Sequence, residues 1–408
     1  MFNELVFFCF GIIEPYDEDD YQDEDYEEDL DDIEEIILCF TKILEKDPDD
    51  VNAYNERGIA YGKKGDLDKA LSDFNKAIEI NPNFAYAYVS RGIIYSKMGH
   101  YDEAIVEFNQ ALKLNTHIYL VYQFRGDAYS SKGDYNNAIK DFSKLIKIAP
   151  EFAYAYLGRG AAYTEIEEYD KAIKDFNEAL KINPQFVDAY ISRGNIYRDK
   201  GIYDKAITDY NKALEIEPDF ELTYINRANM FSNMEKYDEA IADYNKAIEL
   251  NPKSFDAYIS RGNIYSDMEK HDEAIADYNK ALEINPKSFD AYISRGNIYS
   301  DMEKYDEAIA DYNKALEIDP ESSGAYNNRG NAYRDKKEYE KAIRYFEQAL
   351  KIDPQKIYVY YKIALVYEKL GKKDETIKAY KTFIKYANSQ FASIIEEAKQ
   401  TIKELESE

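Results

Sequence analysis

The sequence predicts an all-α chain built as a stack of helical hairpins, a helix-turn-helix solenoid. First, residues 51–390 repeat without a gap at a period of 34 residues, and self-similarity at such a period is the signature of solenoid architecture. Second, each period carries two apolar stripes at helical spacing and is usually closed by a proline, which ends a helix. Third, the chain has 41 Tyr and no Trp, as expected if one aromatic position is copied many times.

The period is plainest in two neighbouring stretches. Residues 255–288 read FDAYISRGNIYSDMEKHDEAIADYNKALEINPKS, and residues 289–322 differ from them at three positions: His271/Tyr305, Asn285/Asp319 and Lys287/Glu321. In the same phase, repeats 1 to 10 start at 51, 85, 119, 153, 187, 221, 255, 289, 323 and 357. Position 4 is always Tyr, position 8 is Gly or Ala, and position 11 is Tyr or Phe. That spacing puts all three on one face of a first helix, with the small residue where another helix must come close. Position 20 is Ala in nine repeats and then Thr376; position 24 is Phe or Tyr, and position 27 is usually Ala. These residues mark the inner face of a second helix. Pro at position 32, from Pro82 to Pro354, stops it.

This pattern resembles the tetratricopeptide repeat family, whose consensus has a bulky aromatic, a small residue, Tyr, Ala, an aromatic, Ala and Pro at these positions. The resemblance implies antiparallel helix pairs stacked into a right-handed superhelix with a concave inner groove. Departures are few: Thr116 and Asn388 replace Pro, and Leu145 and Phe383 replace the second small residue.

A single repeat cannot bury its own apolar face, so both ends of the array need covers. Residues 391–408 carry Phe391, Ile394, Ile395, Ala398, Ile402 and Leu405 as a helical stripe, which predicts a C-terminal capping helix. Residues 33–50 align with the second helix of a repeat, with Phe40 at position 24 and Pro48 at position 32, and predict an N-terminal half-repeat. Ahead of it, residues 1–32 form an apolar end followed by the acidic run Asp17–Asp32, expected to be too charged to pack. Met1 to Ile13 has neither a basic start nor a small-residue cleavage site, and it is too short to span a membrane. The expectation is a cytoplasmic protein, with export as the alternative.

The net charge of −28 argues against a nucleic-acid partner, although residues 1–35 hold sixteen Asp or Glu and no Lys or Arg, leaving −12 for the rest. Two cysteines and three scattered histidines offer no disulfide framework or metal site. No Gly-rich loop or nucleophile elbow occurs, and the tempting Asp and Tyr residues all recur at fixed repeat positions. The chain is therefore expected to be no enzyme and to need no cofactor or metal.

Position 7 departs from the family, where an aliphatic residue is common. Here it is Arg57, Arg91, Arg125, Arg159, Arg193, Arg227, Arg261, Arg295 and Arg329, on the core-facing stripe. An unpaired charge there would be very costly. Position 23 supplies acids: Asp73, Glu107, Asp141, Asp175, Asp209, Asp243, Asp277 and Asp311. Repeat 9 loses the acid (Tyr345), and repeat 10 loses both arginine and acid (Ile363, Ala379). Since Ile363 follows Tyr345, the expected ladder joins each acid to the arginine of the following repeat, Asp73–Arg91 onward. Anion binding by these arginines is the competing reading.

The superhelix would place positions 2, 5, 6, 9, 12 and 13 of each first helix on the groove. Position 9 is Asn195, Asn229, Asn263, Asn297 and Asn331 in five consecutive repeats. An amide offers donors and an acceptor, so a row of them can clamp an extended peptide backbone. The row resembles the asparagine ladder in the tetratricopeptide superhelix of the O-linked N-acetylglucosamine transferases; the competing reading is a solvated polar face copied by duplication. Asn226 and Asn328 occupy position 6, and Asp256 and Asp290 position 2. With Asp267 and Asp301 they make a central groove suited to a neutral or basic peptide. The family's carboxylate clamp for acidic C-terminal tails finds its closest fit in Asn297, Asn328 and Lys362, but Ile293 and Tyr358 stand where Lys is expected. Lys63 and Lys97 make the N-terminal end less acidic, so the chain's own acidic run could dock there.

The expected function is a non-catalytic scaffold or adaptor that binds an extended peptide or partner helix in the groove of residues 187–356. A co-chaperone or holdase, and an element that self-associates end to end, are the alternatives.

Overall fold

The computed structural model describes residues 30–407, and among them every regular element is a helix. The apolar first thirteen residues and most of the acidic run lie outside the described residues. Each 34-residue period forms one hairpin of two antiparallel helices. In repeat 7, for example, the first helix is Phe255–Asp267 and the second is His271–Ile284. The described chain divides into two compact bodies, one ending at Pro218 and the other starting at Asp219.

Inside each hairpin the small residues let the backbones close up around one ring. The position-20 alanines, Ala70 through Ala342, have no exposed surface, and neither do the position-27 alanines. Between them lies the position-24 ring, from Phe74 to Tyr380, at most 2% exposed. A Cβ added to Gly58 would sit 2.6 Å from Phe74 Cε1, and one added to Gly330 the same distance from Phe346 Cε1. Position 8 is therefore small because the ring lies directly on the first helix. Leu145 and Phe383, the two departures at position 27, are also fully buried.

The turns follow two local rules. At position 15 the backbone is left-handed in all ten repeats: Gly in five (Gly65 φ 89°), and Glu or Lys in the others (Glu269 φ 56°, Glu303 φ 57°, Lys337 φ 66°). That residue ends the first helix, and the next N–H closes back on it, as Lys270 N–H does on the Tyr265 carbonyl at 2.8 Å. In seven repeats position 31 is Asn or Asp, and its side chain accepts the N–H two residues on, as Asn251 does from Lys253 at 3.0 Å. Asn115 makes the same bond to His117 N–H although Thr116 replaces the proline. The side-chain turn thus holds the junction with or without proline.

At the N-terminal end the helix Leu30–Lys46 starts three residues before the expected half-repeat, so it takes in Asp31 and Asp32. Ile33 and Leu44 are buried, and Glu34 pairs with Lys64 on the first helix of repeat 1 at 2.5 Å. At the C-terminal end the helix Ala392–Ser407 buries Ala398 and Ile402 against Tyr361, Tyr380 and Phe383. No described helix is long and apolar enough to cross a membrane.

Candidate functional site: the arginine staple and the first-helix groove

The arginines do find the acids, but in a different register from the one the sequence suggested. Arg57 donates through Nε and Nη2 to both carboxylate oxygens of Asp73, each at 2.8 Å, within one repeat. The same fork joins Arg125 to Asp141, Arg159 to Asp175, Arg193 to Asp209, Arg227 to Asp243, Arg261 to Asp277 and Arg295 to Asp311. Arg91 reaches Glu107 through Nη2 alone, at 2.7 Å. The expected Asp73–Arg91 pairing across the repeat boundary is therefore corrected. What crosses the boundary is Nη1, which donates to position 25 of the preceding repeat: Arg91 to Asn75 at 2.6 Å, Arg159 to Ser143 at 3.0 Å, and Arg261 to Asn245. Arg57 makes the same contact with Thr41 of the half-repeat at 3.2 Å. Each guanidinium also lies about 5.6 Å from its position-4 ring, as Arg91 does over Tyr88.

Arg329 explains why the wrong register looked right. With no acid in its repeat, its guanidinium carbon sits 3.7 Å from the centroid of the Tyr345 ring, and Nη1 donates to Asn313 at 2.5 Å. The tyrosine face replaces the carboxylate. Its electrostatics differ accordingly: the hydrogen bonds of Asp311 raise the Arg295 pKa above its ordinary value against the effect of burial, whereas burial lowers that of Arg329. All eight pairs are mostly shielded, with Arg261 and Asp277 side chains 16% and 6% exposed. Each of these eight guanidinium groups is thus paired with a carboxylate of its own repeat.

The asparagines of position 9 are tied to the core from below. Asn195 Oδ1 accepts the Tyr210 hydroxyl at 2.7 Å, Asn229 that of Tyr244 at 2.5 Å, Asn263 that of Tyr278 at 2.8 Å, and Asn297 that of Tyr312 at 2.9 Å. Burial pushes the Tyr210, Tyr244 and Tyr278 hydroxyls up to about 12, so they remain donors at any physiological pH. Each bond fixes which way the amide points: the oxygen goes inward and the NH2 group is turned from the ring. Asn263 and Asn297 are exposed, and Asn195, Asn229 and Asn331 half-buried. Asn331 is the exception, because position 24 of its repeat is Phe346; its Oδ1 is buried with no donor among the described residues. Sequence reasoning missed this pairing, yet a signal existed. Tyr at position 24 coincides with Asn at position 9 in repeats 5 to 8, and Phe there with Ile59 and Ile93 in repeats 1 and 2.

Elsewhere on the C-terminal body, Asp256, Asp267, Asp290 and Asp301 are exposed and Asn226 is half-buried. Asn328 donates to Asn297 Oδ1 at 3.1 Å, but Lys362 donates to Asn327 at 2.9 Å, so the three residues of the clamp match are not drawn onto one point. Burial, with Arg334 nearby, lowers Lys362 to about 8.

The N-terminal body holds a feature that sequence reasoning did not single out. A cavity of about 460 Å³ opens on the first-helix face of repeats 1 to 3, walled by Ile59, Val89, Ile93, Ile118, Leu120 and Phe124. Lys63, Lys97 and His117 stand among its polar lining. Val89 stands at position 5 of its repeat, Phe124 at position 6, Ile59 and Ile93 at position 9, and Lys63 and Lys97 at position 13. The signal was the aliphatic Ile59 and Ile93 where later repeats carry asparagine.

The family profiles point the same way as the hairpin geometry. The tetratricopeptide repeat family profile matches residues 51–84, 153–186, 187–220, 222–254, 255–288, 289–322 and 323–356. Related profiles of the same repeat match residues 74–106, 126–166 and 358–389. No curated protein sequence matches the chain. Among solved structures, a tetratricopeptide repeat protein from Parabacteroides merdae is 24% identical over 58% of this chain and 93% of its own, with a TM-score of 0.49. The MamA protein is 29% identical over 42% of this chain and 93% of its own, with a TM-score of 0.40. Yeast Tom70 is 16% identical over 92% of this chain and 93% of its own, with a TM-score of 0.41.

Proposed function

The chain belongs to the tetratricopeptide repeat family, and from that premise we propose that it is a non-catalytic scaffold whose C-terminal body binds an extended, neutral or basic peptide. The carrying observation is the pinned amide. With Oδ1 of Asn229, Asn263 and Asn297 committed to a core tyrosine, the Nδ2 donors are pre-oriented, and no rotamer freedom has to be lost before they meet a peptide carbonyl. Backbone carbonyls are common to every peptide, so such donors supply affinity without reading sequence. The exposed Asp256, Asp267, Asp290 and Asp301 then set the preference for positive or neutral side chains. They also disfavour the acidic tail that a co-chaperone clamp would hold.

Selection from a random peptide display library on the full chain tests this reading. The expected result is enrichment of neutral and basic peptides whose binding weakens as salt rises. Enrichment of acidic C-terminal sequences, or no enrichment at all, would overturn it.

A further inference from the structure

The first-helix face is relined as a unit in repeats 1 and 2. Positions 2, 9 and 13 are Asp, Asn and Asp in repeats 7 and 8 (Asp256, Asn263, Asp267; Asp290, Asn297, Asp301), but Tyr86, Ile93 and Lys97 in repeat 2. Repeat 1 likewise has Ile59 and Lys63 at positions 9 and 13. All five of these replacements line the cavity of the N-terminal body, and none of the described residues that line it is acidic, in a chain with 80 Asp or Glu. Repeats 1 to 3 carry none of the position-9 asparagines, so what this cavity holds is independent of how a peptide binds elsewhere.

The cavity also has a direction. Positions 5, 9 and 13 lie four residues apart on one helix face. Burial falls along them: Asn55 and Val89 are buried, Ile59 and Ile93 half-buried, and Lys63 and Lys97 exposed. Eight residues separate the buried end from the lysine end, a length of about 12 Å along the helix. The space therefore runs from a buried end to an open, cationic one, and its volume of about 460 Å³ lies within the range, roughly 300–1,000 Å³, typical of ligand pockets.

An anion with an apolar tail fits such a space, its charge at the ammonium groups and its tail against the aliphatic walls. A lysine attracts a carboxylate as a point charge, without asking for a planar fork. An extended carbon chain advances about 1.25 Å per bond, given single bonds of roughly 1.5 Å at about 111°, so about ten carbons cover the distance. We propose that the cavity of repeats 1 to 3 binds an aliphatic carboxylate of about ten carbons, its head at Lys63 and Lys97 and its tail against Ile59, Ile93 and Val89.

Isothermal titration calorimetry of the full chain with a series of alkanoates tests this assignment. Decanoate should bind one to one. Each CH₂ removed should weaken binding about fourfold, so that hexanoate binds more than a hundredfold less tightly, and the gain should stop beyond about twelve carbons. Decylammonium, of opposite charge, should bind about tenfold more weakly than decanoate, and Lys63→Glu with Lys97→Glu should reverse that order. Both lysines are exposed, so this variant should fold as the parent does. Ile93→Asn with Phe108→Tyr imports the pairing found in repeats 5 to 8 and should weaken decanoate about tenfold, while the melting temperature without ligand stays near that of the parent. No saturable binding of decanoate would overturn the proposal. So would affinity that keeps rising with chain length, or binding indifferent to both variants. Binding of a short peptide alternating Leu and Glu by a chain that ignores the alkanoates would also overturn it, and would make the cavity a peptide site.

Discussion

Arg261 and Arg329 occupy the same repeat position in two different electrostatic settings, and the contrast makes the staple testable. Truncating Arg261 strands a carboxylate that is 6% exposed, so Arg261→Ala should cost about 3–5 kcal/mol in urea denaturation. Arg329→Ala strands no acid and should cost clearly less; equal losses would mean that the carboxylates are not what the arginines serve. The sequence made both partners legible, because a core-facing arginine demands an acid, and position 23 supplies one in each of the first eight repeats. It did not reveal the register. The arginine and the acid vanish together in repeat 10, replaced by Ile363 and Ala379 as within-repeat pairing requires, but Arg329 beside Tyr345 obscures the rule because there the ring takes the acid's place. Asn331 gives a second residue-level prediction. Phe346→Tyr would supply the donor that its buried Oδ1 lacks, as in repeats 5 to 8, and should raise stability by about 1 kcal/mol in thermal or urea denaturation. A loss instead would show that the ring in repeat 9 sits differently from its four counterparts.

At the scale of the hairpin, the helices were readable and the turns were not. Alternating small and aromatic positions fixed both helical faces, because only one arrangement buries Ala, Gly and a ring together. The left-handed residue at position 15 is glycine in only half of the repeats, and glutamate or lysine hides it in the rest. In those repeats a side chain is held where L-residues are strained by about 1–2 kcal/mol. Glu303→Gly relieves that strain at some entropic penalty, so a net gain of about 1 kcal/mol is expected, read as a higher melting temperature. An unchanged or lower melting temperature would contradict the turn geometry. Proline is not the only stop signal: in repeat 2, where Thr116 replaces it, the Asn115 side-chain turn does its work.

Across the whole molecule, stability in a repeat array is close to a sum of units and their neighbour contacts, so the ion pairs and rings account for the fold while leaving the first-helix face free to vary. It does vary: aliphatic residues wall a cavity in the N-terminal body, and pinned amides stand beside carboxylates in the C-terminal body. The position-9 asparagines therefore have two roles to separate, satisfying a buried hydroxyl and holding a peptide. The chain contains its own control, since repeats 1 and 2 use Ile59 with Phe74 and Ile93 with Phe108 where repeats 6 to 8 use Asn with Tyr. Replacing both members of a bonded pair by apolar groups of similar shape is close to neutral for stability. The deciding measurement is the affinity of a selected peptide for the full chain carrying Asn229→Ile with Tyr244→Phe, Asn263→Ile with Tyr278→Phe, and Asn297→Ile with Tyr312→Phe. At roughly 1 kcal/mol for each lost amide bond, three losses predict a fall of about a hundredfold with the melting temperature held. Unchanged affinity in a variant of unchanged stability would show that the asparagines serve only the core, and the peptide-binding account of this surface would be wrong.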